Sequence, residues 1–220
     1  MLFDFGHTLF DTASSIELIV RESAALGHPI PVADASELWI AARDRSRTAE
    51  EFAKGRDLDP ERHRSCWMDL WSELEARCPG ISAPLYEYET SGDGWTPYPD
   101  TEPVLQALRE RGMPMAVVSD VGWPLRPVFE HHRLDAFFTT FVLSYELGVT
   151  KPAAAMFHTA CERLGVAPHE ALMAGDNFRN DGGAADAGLR TLLLPLVPSG
   201  SARGLDAVVA LVDASMRVDS

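Results

Sequence analysis

The second half of the chain alternates short apolar runs with segments of helical periodicity, and this alternation limits the possible fold more than any other feature. Met115–Val118, Thr139–Leu143, Ala171–Ala174 and Thr191–Leu194 read as strands bounded by turn formers. Between them, Leu125, Val128 and Phe129 mark one helix, and Pro152–Leu164 and Asn180–Ala187 mark two more. Val104, Leu105 and Leu108 add a helix that ends at Gly112. Continuous apolar strands separated by helices predict a parallel sheet covered on both faces. Leu2 and Phe3 open the chain with one further strand. Ligands of such sheets bind at the carboxyl ends of strands. Asp4, Ser119 and Asp176 all fall at those ends.

Between the first strand and the repeats the chain reads as helical to about residue 90. Ile16, Ile19 and Val20 suggest one helix, and Leu38, Ile40 and Ala41 another. Asp59 is placed to cap a helix with Pro60 at its first position. That helix is expected to reach Cys78 with Cys66, Trp67, Leu70, Trp71 and Leu74 on one face. Thr90–Pro99, with Ser91-Gly92-Asp93-Gly94 inside it, reads as a linker back to the sheet. The expected fold class is therefore α/β, a Rossmann-like three-layer core with a small helical insertion. Residues 1–12 and 95–220 form the core and 13–94 the insertion.

A hydrophobic fraction of 46% is enough for an ordinary buried core at a length of 220 residues. The formal net charge of −14, spread along the chain, argues against a nucleic-acid partner, which needs a cationic surface. It does not exclude a small phosphorylated ligand, because one cation and a few basic groups reverse a local field. Cys66, Cys78 and Cys161 form no CxxC pair, so reduced thiols and a cytoplasmic location are expected. No apolar run approaches membrane-spanning length, and no membrane partner is expected. With Asp4 so near the first residue no leader segment is expected, although the short first strand leaves a start further upstream open. Nothing in the pattern assigns an oligomeric state.

Five places could carry chemistry, and each has a plainer alternative. Asp4 could attack phosphorus as a nucleophile, or it could cap the turn after its strand. Thr8 and Ser119 could donate to a ligand or serve as turn residues. Lys151 precedes Pro152, read here as a first helical residue, and could be a site ammonium or a solvated side chain. The turn Gly175-Asp176-Asn177-Phe178-Arg179-Asn180-Asp181 could cap a helix. Taken with Asp4 it supplies three carboxylates around one point, suited to a hard cation with oxygen ligands.

In this order, Leu2-Phe3-Asp4-Phe5-Gly6-His7-Thr8-Leu9, Ser119, Leu147-Gly148-Val149-Thr150-Lys151-Pro152 and the acidic turn resemble the four motifs of the haloacid dehalogenase-like hydrolases. The resemblance runs from Leu2 to about Pro195 and implies an Mg-dependent phosphatase acting through an aspartyl phosphate. It implies catalytic roles for Asp4, Ser119 and Lys151. Thr8, Ser119, Asp120 and Lys151 would meet the substrate, a small phosphorylated molecule. Mg would be held by Asp4, Asp176 and the Gly6 carbonyl, with Asp181 as a ligand or the holder of a bound water. The helical insertion would be the family's cap, which excludes water and selects substrate.

Two positions depart from the pattern. Asp120 stands where asparagine is frequent, which disfavours very anionic substrates. Gly6 stands where the phosphatases carry the aspartate that acts as general acid and base, so weak activity on alkyl esters is expected. His7 is adjacent, with a suitable ordinary pKa, and could supply the proton instead, although neighbours on an extended turn tend to point differently; its plainer reading is a partly exposed turn histidine. The lost acid keeps 2-haloacid dehalogenation open, since halide leaves without a proton, while Asp176 favours the metal-dependent reading. A chain that only binds a phosphorylated metabolite or a partner protein is the third alternative. Trp39, Trp67 and Trp71 are expected to pack, whereas Trp95 and Trp123 are better placed to touch a substrate.

Overall fold

The apolar runs pair side by side into one sheet. The computed structural model describes residues 1–218. Strands β1 (Leu2–Phe3) and β2 (Phe10–Thr12) come first along the chain, and only β1 belongs to that sheet. Helices α1 (Ile16–Ala25), α2 (Val32–Ser46), α3 (Ala49–Ala53), α4 (Pro60–Leu70), α5 (Ser72–Arg77) and α6 (Ser82–Glu89) follow. Next come β3 (Trp95–Pro97), α7 (Thr101–Glu110), β4 (Ala116–Ser119), α8 (Arg126–His131), β5 (Thr140–Leu143) and α9 (Ser144–Leu147). The remaining elements are α10 (Ala154–Leu164), β6 (Leu172–Gly175), α11 (Gly183–Asp186), β7 (Arg190–Leu193) and α12 (Asp206–Val218).

The five-stranded sheet has the order β5-β4-β1-β6-β7, with every pairing parallel. Successive side chains of a strand point to opposite faces. Phe3, Val117 and Phe141 accordingly enter one apolar cluster with Leu105, Val128 and Phe129. Leu2, Ala116, Val118 and Met173 enter another with Met156 and Phe157 of α10. Both faces are covered, as the unbroken apolar runs require. Helices α1, α2, α4, α5 and α6 enclose a third cluster around Ile19, Trp39, Trp71, Leu74, Ile81 and Leu85.

Several boundaries differ from the sequence expectation. The stretch Asp59–Cys78 is two helices, broken at Trp71, whose side chain is fully buried while its backbone departs from helical geometry. Its start is as expected, since Asp59 Oδ1 accepts the Arg62 amide at 2.8 Å. In α2 the buried face is Ala35, Leu38, Trp39 and Ala42, and Ile40 is 53% exposed. The linker carries β3, which pairs antiparallel with β2 through Phe10↔Pro97, Asp11↔Thr96 and Thr12↔Trp95. Strands of three residues leave too little periodicity to be read from sequence. Pro152 does not begin a helix: Lys151-Pro152 is a cis peptide in a turn closed by Ala153 N–H on the Thr150 carbonyl at 3.0 Å. Asn180–Gly182 is likewise a turn, and α11 is helical only over Gly183–Asp186. Asn177 Oδ1 accepts the amides of Arg179 and Asn180, a local alternative that competes with helix.

Candidate active site

Because β1 lies between β4 and β6, the residues at their carboxyl ends converge. Asp4 follows β1, Ser119 ends β4 and Asp176 follows β6. Lys151 reaches them from its turn. Its Nζ donates to Asp4 Oδ1 and to Asp181 Oδ1, each at 2.6 Å, and all three residues are buried. Asp181 Oδ2 accepts the amides of Asp176 at 3.0 Å and Asn177 at 2.9 Å, so this carboxylate ties the acidic turn together. That tuck needs a bare backbone at Gly175, where a Cβ would collide with the Asp181 carboxylate.

Asp120 lines the same cavity, yet its oxygens face protein. Oδ1 accepts the Lys151 amide at 2.8 Å and Oδ2 the Asn180 side-chain amide at 3.0 Å. It braces the lysine turn against the acidic turn. Thr8 is fully buried and outside the cavity lining, with its hydroxyl 3.5 Å from Asp4 Oδ2. It is placed to hold Asp4 rather than to meet a ligand. Ser119 does line the cavity, and among the described residues its hydroxyl has no hydrogen-bond partner. Gly6 also lines it, and a Cβ there would lie 3.5 Å from the Trp95 ring, an ordinary contact.

The electrostatics are those of a site short of positive charge. Burial pushes Asp4 up to about 8; Lys151 pulls it back, while Asp181 and Asp176 add to the rise. Burial, then Asp181, raises Asp176 as well. Burial pushes Asp120 up to about 6. Burial disfavours the Lys151 charge, but Asp181, Asp4 and Asp120 outweigh it and hold the ammonium protonated. Asp4, Asp176 and Asp181 can each bring one oxygen within 4.8 Å of the others, the donor set of a hard cation. Asp4 Oδ2 and the Asp176 carboxylate have the most free acceptor capacity, because Asp181 already accepts three protein donors.

Above these groups is a cavity of about 280 Å³ whose far wall comes from the helical insertion. Arg43, Phe52, Arg56, Asp57, His63, Trp67 and Glu89 line it, and sequence reasoning singled out only Trp67 among them, as a packing residue. Trp67 does stack on Trp71 at 5.1 Å between centroids, but it also faces the cavity. Trp39 and Trp71 pack in the insertion's apolar cluster as expected, and Trp95 and Trp123 line the cavity. His7 lines it too, in a left-handed conformation with φ 55° that is uncommon outside glycine. Burial, then Arg43 and Arg47, lowers its pKa. The buried Arg203 fastens this turn, with Nε donating to the His7 carbonyl at 2.5 Å and its other nitrogens to the carbonyls of Leu194 and Pro195. No motif marks Arg203, which lies in a loop rich in turn formers.

The insertion and the sheet meet closely beside the cavity. Ser144 Oγ donates to the Asp57 carbonyl at 2.5 Å and accepts the Val121 amide at 2.8 Å. At Gly122 a Cβ would collide with the Arg56 carbonyl oxygen and the His63 side chain, so only glycine allows this approach.

Residues 1–188 match the model of the haloacid dehalogenase-like hydrolases. The chain belongs to that family. A glyceraldehyde 3-phosphate phosphatase of Methanopyrus kandleri is 40% identical over 196 residues, covering 87% of this chain and 82% of the relative. Among solved structures, a haloacid dehalogenase-like phosphatase from Thermococcus onnurineus aligns with a TM-score of 0.65 and 22% identity over 96% of each chain. A dehalogenase aligns with a TM-score of 0.71 and 21% identity over 96% of this chain and 95% of its own. These two structures share the α/β fold with a helical insertion. This haloacid dehalogenase-like hydrolase presents its own acidic cluster, Asp4, Asp176 and Asp181, at the carboxyl edge of its parallel sheet. Among the described residues no helix is long and apolar enough to cross a membrane, and Cys66, Cys78 and Cys161 are free and buried.

Proposed function

We propose that this hydrolase is a phosphatase of small phosphorylated metabolites, working through an aspartyl phosphate on Asp4. The observation that carries the reading is the Lys151 ammonium bridging Asp4 and Asp181 beneath a cavity of metabolite size. The ammonium offsets the repulsion between a carboxylate nucleophile and an anionic phosphate. Ser119, with a free hydroxyl at the end of β4, donates to a phosphoryl oxygen. The 40% identity to a glyceraldehyde 3-phosphate phosphatase supports a small phosphate ester as substrate.

The carboxylates of Asp4, Asp176 and Asp181 fit a hard cation such as Mg; Asp4, Asp176 and the Gly6 carbonyl would hold it, with Asp181 as a ligand or the holder of a bound water. Such an ion would supply charge neutralisation and orientation for the phosphate. Residues 13–94 serve as the cap, and residues 1–12 and 95–220 as the core. Three buried free thiols suit a reducing, cytoplasmic setting.

Acetyl phosphate offered to the purified protein with Mg, followed by rapid quenching and mass spectrometry, tests the reading. Phosphate is expected on Asp4, and Asp4→Asn is expected to abolish both labelling and turnover. Release of halide from 2-haloacids without Mg, and no labelling, would place the chain with the dehalogenases instead.

A further inference from the structure

The cavity above Asp4 has five aromatic side chains in its lining, set among polar ones such as Arg43, Arg56 and Glu89. Phe5, Phe52, Trp67, Trp95 and Trp123 line it together with Asp4 and Lys151. The polar ends of two of the indoles are already committed to protein. Trp67 Nε1 donates to His63 Nε2 at 3.0 Å, and Trp95 Nε1 donates to the Glu89 carbonyl at 2.9 Å. What these residues offer a ligand is therefore ring surface. Trp95 and Trp123 lie 6.4 Å apart at 32°, a tilted pair beside the nucleophile. The His63 bond to Trp67, backed by His63 Nδ1 and the Tyr86 hydroxyl at 2.9 Å, fixes the third indole.

A second observation is independent of the wall. Gly6 offers no side chain that could protonate a leaving oxygen, and the Trp95 ring borders the space beside it. An alkoxide, whose conjugate acid resembles water at about 15.7, needs such a proton. A phenolate, with a conjugate acid near 10 as in tyrosine, leaves without one. Size agrees as well: a cavity of about 150 Å³ accepts benzene, so 280 Å³ accommodates one ring and a phosphate.

We propose that the substrates are aryl phosphate monoesters, in which a single aromatic ring carries the phosphate. This rests on the phosphatase reading above. An Asp4 oxygen attacks phosphorus, the phosphorus–oxygen bond to the ring breaks, and phenolate departs with the electron pair. Water then attacks the aspartyl phosphate, Asp4 leaves as carboxylate, and the proton of water goes to the released phosphate.

Two measurements on the wild-type protein with Mg test it. The kcat/KM for phenyl phosphate should exceed that for butyl phosphate by roughly 100-fold or more, the size of a missing general acid. Calorimetry should show phenylphosphonate, which cannot be hydrolysed, binding up to roughly tenfold tighter than butylphosphonate, the scale of one aromatic contact. Trp67→Leu should shrink that difference in affinity. Equal kcat/KM for the two esters, or equal affinity for the two phosphonates, would overturn the proposal and leave the phosphatase reading in place. Failure of every phosphate to react, with no label on Asp4 from acetyl phosphate, would overturn the phosphatase reading beneath it.

Discussion

Lys151 Nζ lies 2.6 Å from Asp4 Oδ1, a buried ion pair between residues 147 positions apart. The same ammonium holds Asp181 at 2.6 Å, so one side chain bridges the carboxylate that follows β1 and one in the turn after β6. Asp120 positions that turn by accepting the Lys151 amide.

Lys151→Met removes the only cation hydrogen-bonded to two buried carboxylates among the described residues. Breaking a buried pair from one side costs about 3–5 kcal/mol. Thermal unfolding should show a loss of that order without Mg. Added Mg should recover part of it, because a cation among Asp4, Asp176 and Asp181 replaces the missing charge. Turnover should fall by 100-fold or more, as for lost electrostatic stabilisation of a transition state.

Asp176→Asn should leave the fold intact and weaken Mg binding strongly. Its carboxylate is partly exposed and takes no part in holding the turn, which depends on the backbone amide of Asp176 bonded to Asp181. Calorimetric titration with Mg checks this, and unchanged affinity would remove Asp176 from the ion's ligands.

Gly6→Asp should raise hydrolysis of alkyl phosphates by roughly 10-fold, a conservative share of a general acid's contribution. The new Cβ meets only the Trp95 ring, at 3.5 Å. The variant should also carry less phosphate on Asp4 at steady state, since a carboxylate there activates water in the second step. Kinetics alongside a structure of the variant decide the matter: a carboxylate facing the site with no gain on any ester counts against the assignment.

Acid should destabilise the helical insertion through His63. Burial, with help from Arg56, lowers its pKa from 6.5 to about 3. Above pH 6.5 the residue is neutral in both folded and unfolded chains. As pH falls from 6.5 toward 3 the unfolded chain gains a proton that the folded one refuses, so stability falls with acidification. The slope from one such group is at most about 1.4 kcal/mol per pH unit. Urea unfolding at pH 7, 6 and 5 should show this loss in the wild type and a flatter dependence in His63→Gln.

The parallel sheet and the residues at its strand ends were legible in the sequence because both depend on local pattern. Unbroken apolar runs such as Met115–Val118 specify strands buried on two faces, and the polar residue that ends each run must emerge at the edge. Asp4, Ser119 and Asp176 were found this way, and Lys151 and Asp181 through motifs with set spacing. What local pattern does not carry is which side of an amphipathic helix meets a cavity and which meets a core. Sequence spacing puts Trp67 and Trp71 on one face, yet Trp67 borders the cavity and Trp71 is fully buried in the helical insertion. The role of Asp120 was decided by tertiary contacts with Lys151 and Asn180, partners that only the fold brings near. Arg203 carries no signal at all, since its three carbonyl partners come from His7, Leu194 and Pro195 and exist only once the sheet has closed around them. Sequence determined the sheet and its acidic edge, whereas packing between remote segments decided what faces that edge.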